Sequence, residues 1–154
     1  MVSFIQLFSL YFLIGFSSDL LLNYLSRQSY APRAVKALKV YFDRKTIKSN
    51  SLRHFISAMN AGLTIIVALA ITMLLSKLFL GFVHPNTIDQ LWRFIILAFI
   101  IGYIADILIY KIQLFGDTLN LYYKKAGAGL WGAIAFIFSI LVSYVLIKWA
   151  FKYF

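Results

Sequence analysis

Two aspartates lie inside apolar runs, and they are the residues best placed to do chemistry. Asp19 follows Leu10-Tyr-Phe-Leu-Ile-Gly-Phe-Ser-Ser18, and Asp106 follows Leu97-Ala-Phe-Ile-Ile-Gly-Tyr-Ile-Ala105. An aspartate at the centre of a membrane-spanning helix costs about 2.5–3.5 kcal/mol on insertion scales. Such a residue needs a compensating partner or a function. One reading makes the pair a proton or cation site of a small transporter or channel. The other makes each carboxylate a structural clamp within its own helical hairpin, bonded to amides, Asn23, Lys111 or water. Transport sites combine broken helices with polar groups near the midplane. The later apolar runs offer only Thr64, Thr72 and Ser139 there, so the clamp is the reading adopted and transport is the alternative. Both aspartates fall toward C-terminal helix ends, where the helix dipole disfavours negative charge. Compensating N–H groups are expected from the N-terminal ends of the following helices, around Asn60-Ala-Gly62 and Gly127-Ala-Gly129. The expected intramembrane polar set is therefore Asp19, Asp106, Asn23 and Asn60.

Other chemistry is thinly represented. The chain has no cysteine, no glutamate and two histidines. That argues against thiolate chemistry, a metal site or a cofactor. No phosphate-binding loop, zinc-protease motif or nucleophile elbow occurs, so no catalytic residue is assigned and no enzymatic activity is expected. His54, beside Arg53, and His84, in a turn, are read as surface residues.

The elements that hold these residues follow from composition. Of 154 residues, 62% are hydrophobic, and the mean hydropathy is +0.85, against about 45–50% apolar in soluble domains. A bilayer core about 30 Å thick needs about 20 helical residues. Four spans meet that length: about Val2–Leu25, Phe55–Leu80, Leu91–Ile112 and Leu130–Ala150. The N-terminal run has no basic leader and no small-residue cleavage site, so it is read as a retained helix. Pro85 and Asn86 break the chain between spans two and three, where Thr87 is the expected N-cap with Asp89 in the first turn. Trp92, Trp149 and Tyr153 sit where interfacial aromatic belts belong.

The two aspartate runs also organise the chain. Leu10–Leu22 and Leu97–Ile109 align without gaps, with six of thirteen positions identical, including Gly15/Gly102 and Asp19/Asp106. Ala61-Gly-Leu63 matches Ala128-Gly-Leu130, and the register continues through Ala68/Ala135, Leu74/Leu141 and Ser76/Ser143. The expected fold is therefore all-α, a single membrane domain of four transmembrane helices built as two parallel hairpin repeats. Repeat one covers about 2–80, repeat two about 91–150. Gly15, Ala58, Gly62, Gly129, Gly132 and Ala133 permit close helix approach, read as packing inside the bundle.

Charge is concentrated in what the repeats do not share. The net charge is +10, and eight of the fifteen cations lie between Arg27 and Arg53. Within the basic loop, 26–54, an amphipathic helix is expected to start at Ser29, with Pro32 in its first turn. Val35, Leu38 and Phe42 would form its apolar stripe, lying in the membrane interface. By the positive-inside rule both basic loops are cytosolic. The expected contacts with lipid or a partner are Arg33, Lys36, Lys39, Arg44, Lys45 and Lys48, with Lys124 and Lys125 in the second basic loop. Anionic lipid, an acidic protein face and nucleic acid all fit such a surface. Nucleic acid is the least favoured, and oligomerisation stays open.

The runs Ser18-Asp-Leu-Leu-Leu-Asn-Tyr-Leu-Ser-Arg27, Ala61-Gly-Leu-Thr64, Gly102-Tyr-Ile-Ala-Asp-Ile-Leu-Ile-Tyr-Lys111, Tyr122-Tyr-Lys124 and Ala126-Gly-Ala-Gly-Leu-Trp-Gly-Ala133 resemble small multi-span membrane proteins of large icosahedral double-stranded DNA viruses. The resemblance covers nearly the whole chain. It implies a structural virion protein in an internal membrane derived from the host, contacting minor capsid proteins. Its motifs bring no catalytic residue.

Overall fold

Four helices carry the chain: α1 (Phe4–Ser26), α2 (Asn50–Phe79), α3 (Ile88–Lys111) and α4 (Leu130–Ala150). The computed structural model describes residues 3–33, 35, 36, 39, 49–111 and 130–150, with the side chains at 50, 53, 106, 109–111, 131 and 150 excepted. All four helices are long and apolar enough to cross a membrane, which makes this a multi-pass membrane protein. Among the described residues there is no strand, as expected where backbone polar groups must be satisfied within each segment.

Local chemistry sets the helix ends. Ser3 caps α1 through a reciprocal pair: the Gln6 amide donates to Ser3 Oγ at 3.2 Å, and the Ser3 amide donates to Gln6 Oε1 at 2.9 Å. This is the capping box, with Gln in the position of Glu. Ser49 caps α2, its Oγ accepting from the Leu52 amide. That cap starts α2 five residues before the expected Phe55, since the largely polar residues 50–54 extend the helix beyond its apolar part. The C-terminus of α2 ends on Gly81, whose φ of 80° lies in the left-handed region. Its amide and that of Leu80 both donate to the Ser76 carbonyl, at 3.0 and 2.8 Å. Thr87 caps α3, as its sequence position implies. Its Oγ1 accepts from the Gln90 amide at 3.3 Å, and Asp89 pairs with Arg93 at 3.1 Å one turn on.

Each helix packs on its neighbours in sequence, and α4 closes back on α1. The most extensive packing is between α1 and α2 and between α3 and α4. Glycine allows both close approaches. A Cβ on Gly15 would lie 3.2 Å from Gly62 Cα, and one on Gly102 would lie 3.1 Å from Ala133 Cα. The two contacts are not equivalent. The repeat pairs Gly62 with Gly129 in sequence, so the partner of Gly102 is one helical turn further along α4 than a strict copy would place it. The main apolar core, including Leu7, Leu69, Met73, Phe94, Phe136, Ile140 and Ile147, gathers toward the end of the bundle that carries the α2–α3 turn.

That turn corrects one expectation. His84 is half-buried rather than a freely exposed surface residue, with its ring 6.0 Å from that of Phe94. Burial pushes its pKa down to about 4, and a backbone interaction with Pro85 opposes the shift only in part. The folded turn therefore favours neutral imidazole, while the opened turn binds a proton below pH 6.5. Stability contributed by this site is complete above about pH 6.5 and is lost as pH falls toward 4. At pH 5 the loss should reach about 2 kcal/mol at most, at 1.36 kcal/mol per pKa unit. Protection of the 80–88 amides, relative to the intrinsic exchange rate at each pH, should fall between pH 7 and pH 5. In a His84→Phe variant, that added acid sensitivity should disappear.

Past α1 the chain turns, and Ala31 is buried at 7% exposure. Helical backbone begins at Arg33, where the Lys36 amide donates to the Pro32 carbonyl at 2.9 Å. The start is thus later than the expected Ser29, because the residue before a proline is disfavoured in the helical region. Arg33, Val35, Lys36 and Lys39 are helical. Leu38 and Phe42, and with them the expected apolar stripe, lie outside the described residues.

Candidate functional site

At the end of the bundle opposite the α2–α3 turn, the α1–α2 seam is polar. Asp19, Asn23 and Ser26 are buried on one stripe of α1, at 8%, 3% and 3% exposure, and Ser57 and Ala58 are buried on α2. The α1 residues recur at intervals of four and three, the spacing of one helix face. Register follows from two contacts. Gly15 meets Gly62, and Asn23 meets His54. Eight residues separate the members of each pair along each helix, so the antiparallel register is constant and Asp19 stands opposite Ala58. Just outside the seam, the rings of Phe16 and Phe55 meet edge to face at 5.8 Å.

Asn23 is the hub. Arg27 Nε donates to its Oδ1 at 3.1 Å, and its Nδ2 donates to His54 Nδ1. The Arg27 bond fixes which end of the amide is oxygen, which leaves the NH₂ group for His54. Because an amide NH₂ can only donate, His54 Nδ1 accepts, and the imidazole proton sits on Nε2. Ser26 Oγ donates to the Asn23 carbonyl at 2.7 Å, tightening the last turn of α1. One buried amide thus ties the end of α1 to the start of α2, where the chain enters and leaves the basic loop.

No family model, curated protein or solved structure matches this chain.

The expected residues divide. Asp19 and Asn23 come together on the buried face of α1. Asn60 does not join them. It is half-buried in mid-helix, and its carbonyl accepts from Thr64 Oγ1 at 2.8 Å. The idea that Asp19 faces free N–H groups at the start of α2 fails with it, because α2 begins at Asn50 and the amides near Asn60 are already used within the helix. Asp106 lies in α3, but its side chain is outside the described residues, as are Arg44, Lys45, Lys48, Lys124 and Lys125. Arg33, Lys36 and Lys39 are exposed. Lys36 Nζ donates to the Ser29 carbonyl at 2.6 Å.

Sequence reasoning missed His54 as a partner of Asn23, 31 residues away. The available signal was spacing, since His54, Ser57, Ala58 and Ala61 recur on one face of α2. Ser57 was missed for the same reason. Chemically the seam suits holding rather than turnover. It joins a neutral imidazole, an amide and a guanidinium, with the buried carboxylate of Asp19 one turn deeper.

Proposed function

We propose that this is a structural membrane protein that holds a bilayer against an overlying protein shell through the basic segment between α1 and α2. The observation that carries this reading is the placement of Arg33, Lys36 and Lys39. They are exposed on a helical segment that follows α1 directly, behind a buried Ala31 and a Lys36–Ser29 bond. The segment is thus tethered to the bundle. The clamp at Asn23 serves the same end, since it pins the two helix ends that flank the basic loop. The bundle supplies the anchor and the cations supply attraction to an acidic face. The further cations Arg44, Lys45, Lys48, Lys124 and Lys125 add to that attraction. The sequence resemblance noted above makes the shell a viral capsid and the bilayer a virion internal membrane.

The test is charge removal. Arg33→Gln, Lys36→Gln and Lys39→Gln together should loosen shell–membrane attachment, and the loosening should be mimicked by raising salt, since exposed pairs are screened within about 8–10 Å. Insertion of the four helices should be unaffected. Attachment that survives the triple substitution removes the reading.

The burial of Asp19 inside a span favours one second reading, a proton or cation transporter. Reconstituted vesicles with an entrapped pH-sensitive dye separate the two. A structural protein gives no flux that depends on Asp19, whereas flux lost in Asp19→Asn establishes transport.

A further inference from the structure

The clamp at the mouth of the α1–α2 hairpin has one member that can change its charge near neutral pH. Arg27 Nε donates to Asn23 Oδ1, and Asn23 Nδ2 donates to His54 Nδ1. A guanidinium keeps its protons in proteins, so Arg27 can only donate. That fixes the oxygen end of the amide, and the amide NH₂ then needs a lone pair from the ring. His54 supplies one only as neutral imidazole, because an imidazolium carries N–H on both ring nitrogens. The bonds therefore run in one direction, from Arg27 through Asn23 to His54.

A second proton on His54 leaves this chain of bonds without a consistent arrangement. With the amide as it stands, its NH₂ meets a ring N–H. With the amide turned over, its NH₂ meets the Arg27 Nε–H instead. With the imidazole ring turned over, a C–H replaces Nδ1 and accepts nothing. Each alternative leaves a donor unmatched, and Asn23 is 3% exposed, so bulk water does not take up the lost bond. A buried donor without an acceptor is costly.

We propose that the Arg27–Asn23–His54 chain is an acid-released latch, closed on neutral imidazole and opened when His54 takes a proton at Nδ1. Opening separates the end of α1 from the start of α2, the two helix ends that flank the basic segment. The latch depends on the seam alone and stands whether or not that segment docks on a protein shell. The surrounding charges are unequal in their effect. On α1, Arg27 is bonded to the same amide and opposes a second positive charge, whereas Asp19 lies one turn deeper and would favour one. Arg27 acts on the very amide that holds the ring, so acid opens the latch. On α2, Arg53 adjoins His54 in sequence, with its side chain outside the described residues. On α3 and α4, Asp89, Arg93 and Lys148 belong to the helix ends nearest the α2–α3 turn, away from the mouth. The side chains of Asp106 and Lys111 lie outside the described residues.

Hydrogen exchange of the full chain in lipid nanodiscs tests this, read as protection relative to the intrinsic rate at each pH. The opened mouth binds a proton that the closed latch excludes, so the latch is fully effective at neutral pH and weakens as pH falls. With an ordinary imidazole value of about 6.5 in the opened mouth, protection of residues 23–27 and 52–57 should fall by up to about tenfold from pH 7.5 to pH 5.5. His54→Gln offers an amide oxygen to Asn23 at any pH, so the mouth should stay protected and lose its acid response. Asn23→Asp should reverse the response, because a carboxylate accepts from Arg27 and from an imidazolium together, and protection should then rise toward pH 5.5. His84→Phe, at the far end of the bundle, should leave the response of the mouth in place. Protection at the mouth that is the same at both pH values overturns the proposal. So does an acid response that His54→Gln retains, that Asn23→Asp fails to reverse, or that His84→Phe abolishes.

Discussion

Gly62→Ala is expected to force α1 away from α2. A Cβ at position 62 would lie 2.6 and 2.7 Å from ring carbons of Phe12 and 3.2 Å from the Phe12 carbonyl oxygen. The ring can rotate away, but the carbonyl belongs to the backbone of α1, so the helix itself must shift. Overpacking of this kind costs about 1–3 kcal/mol, and Gly62→Val should cost more. The helices cannot recover the loss elsewhere, because association in lipid depends on close packing rather than on escape from water. Steric-trapping or SDS-unfolding measurements of hairpin stability should report the change. Phe12→Leu should restore part of it, giving a coupling above about 0.5 kcal/mol, as expected for residues in contact. Gly81→Ala is the contrasting case. Nothing lies within 4 Å of a Cβ there, so only the left-handed backbone, worth about 1–2 kcal/mol, is at stake. Its effect should stay in the α2–α3 turn and show no coupling to Phe12.

Asn23→Leu is expected to unfasten the mouth of the same hairpin. It removes the bond to His54 and the bond from Arg27 together. Interhelical and buried side-chain bonds in membranes contribute about 0.6–1.7 kcal/mol each, so the loss should be about 2 kcal/mol. Hydrogen exchange should rise at the end of α1 and the start of α2, while the core around Phe94 and Ile140 keeps its protection. Asn23→Asp distinguishes bonding from packing. A carboxylate still accepts from Arg27 but can no longer donate to His54 Nδ1, so the imidazole must change tautomer or take up a proton. The Asp variant should therefore move the nitrogen NMR signature of His54 and lose less stability than the Leu variant. Equal loss in both, with an unmoved His54 signal, would mean that Asn23 acts by volume alone.

Much of this architecture was legible in the sequence, because hydropathy and length are local properties. All four described helices overlap the spans expected from hydropathy and length. Thr87 could be read as a cap from type and position alone. The glycines that let the helices approach closely were legible too, but the side-chain partners across the helices were not. The partial burial of His84 involves the ring of Phe94 on α3, and the role of His54 depends on Asn23 across the seam. The expected anchoring of Asp19 at a helix N-terminus failed because the largely polar residues 50–54 were assigned to the loop, whereas a Ser49 cap makes them helical. The hydroxyls were half legible. Thr64, Thr72 and Ser139 could be counted, but the sequence does not distinguish a serine satisfied by its own helix from Ser76 or Ser143, which are not.

The central claim is that the basic segment docks on protein while the bundle holds the bilayer. Photocrosslinking from position 39 tests it most directly, with a benzophenone side chain in place of Lys39 in the assembled membrane. The expected result is a covalent adduct to an acidic protein of the overlying shell, diminished by raised salt and by Arg33→Gln with Lys36→Gln. Adducts to phospholipid or nucleic acid alone would contradict it.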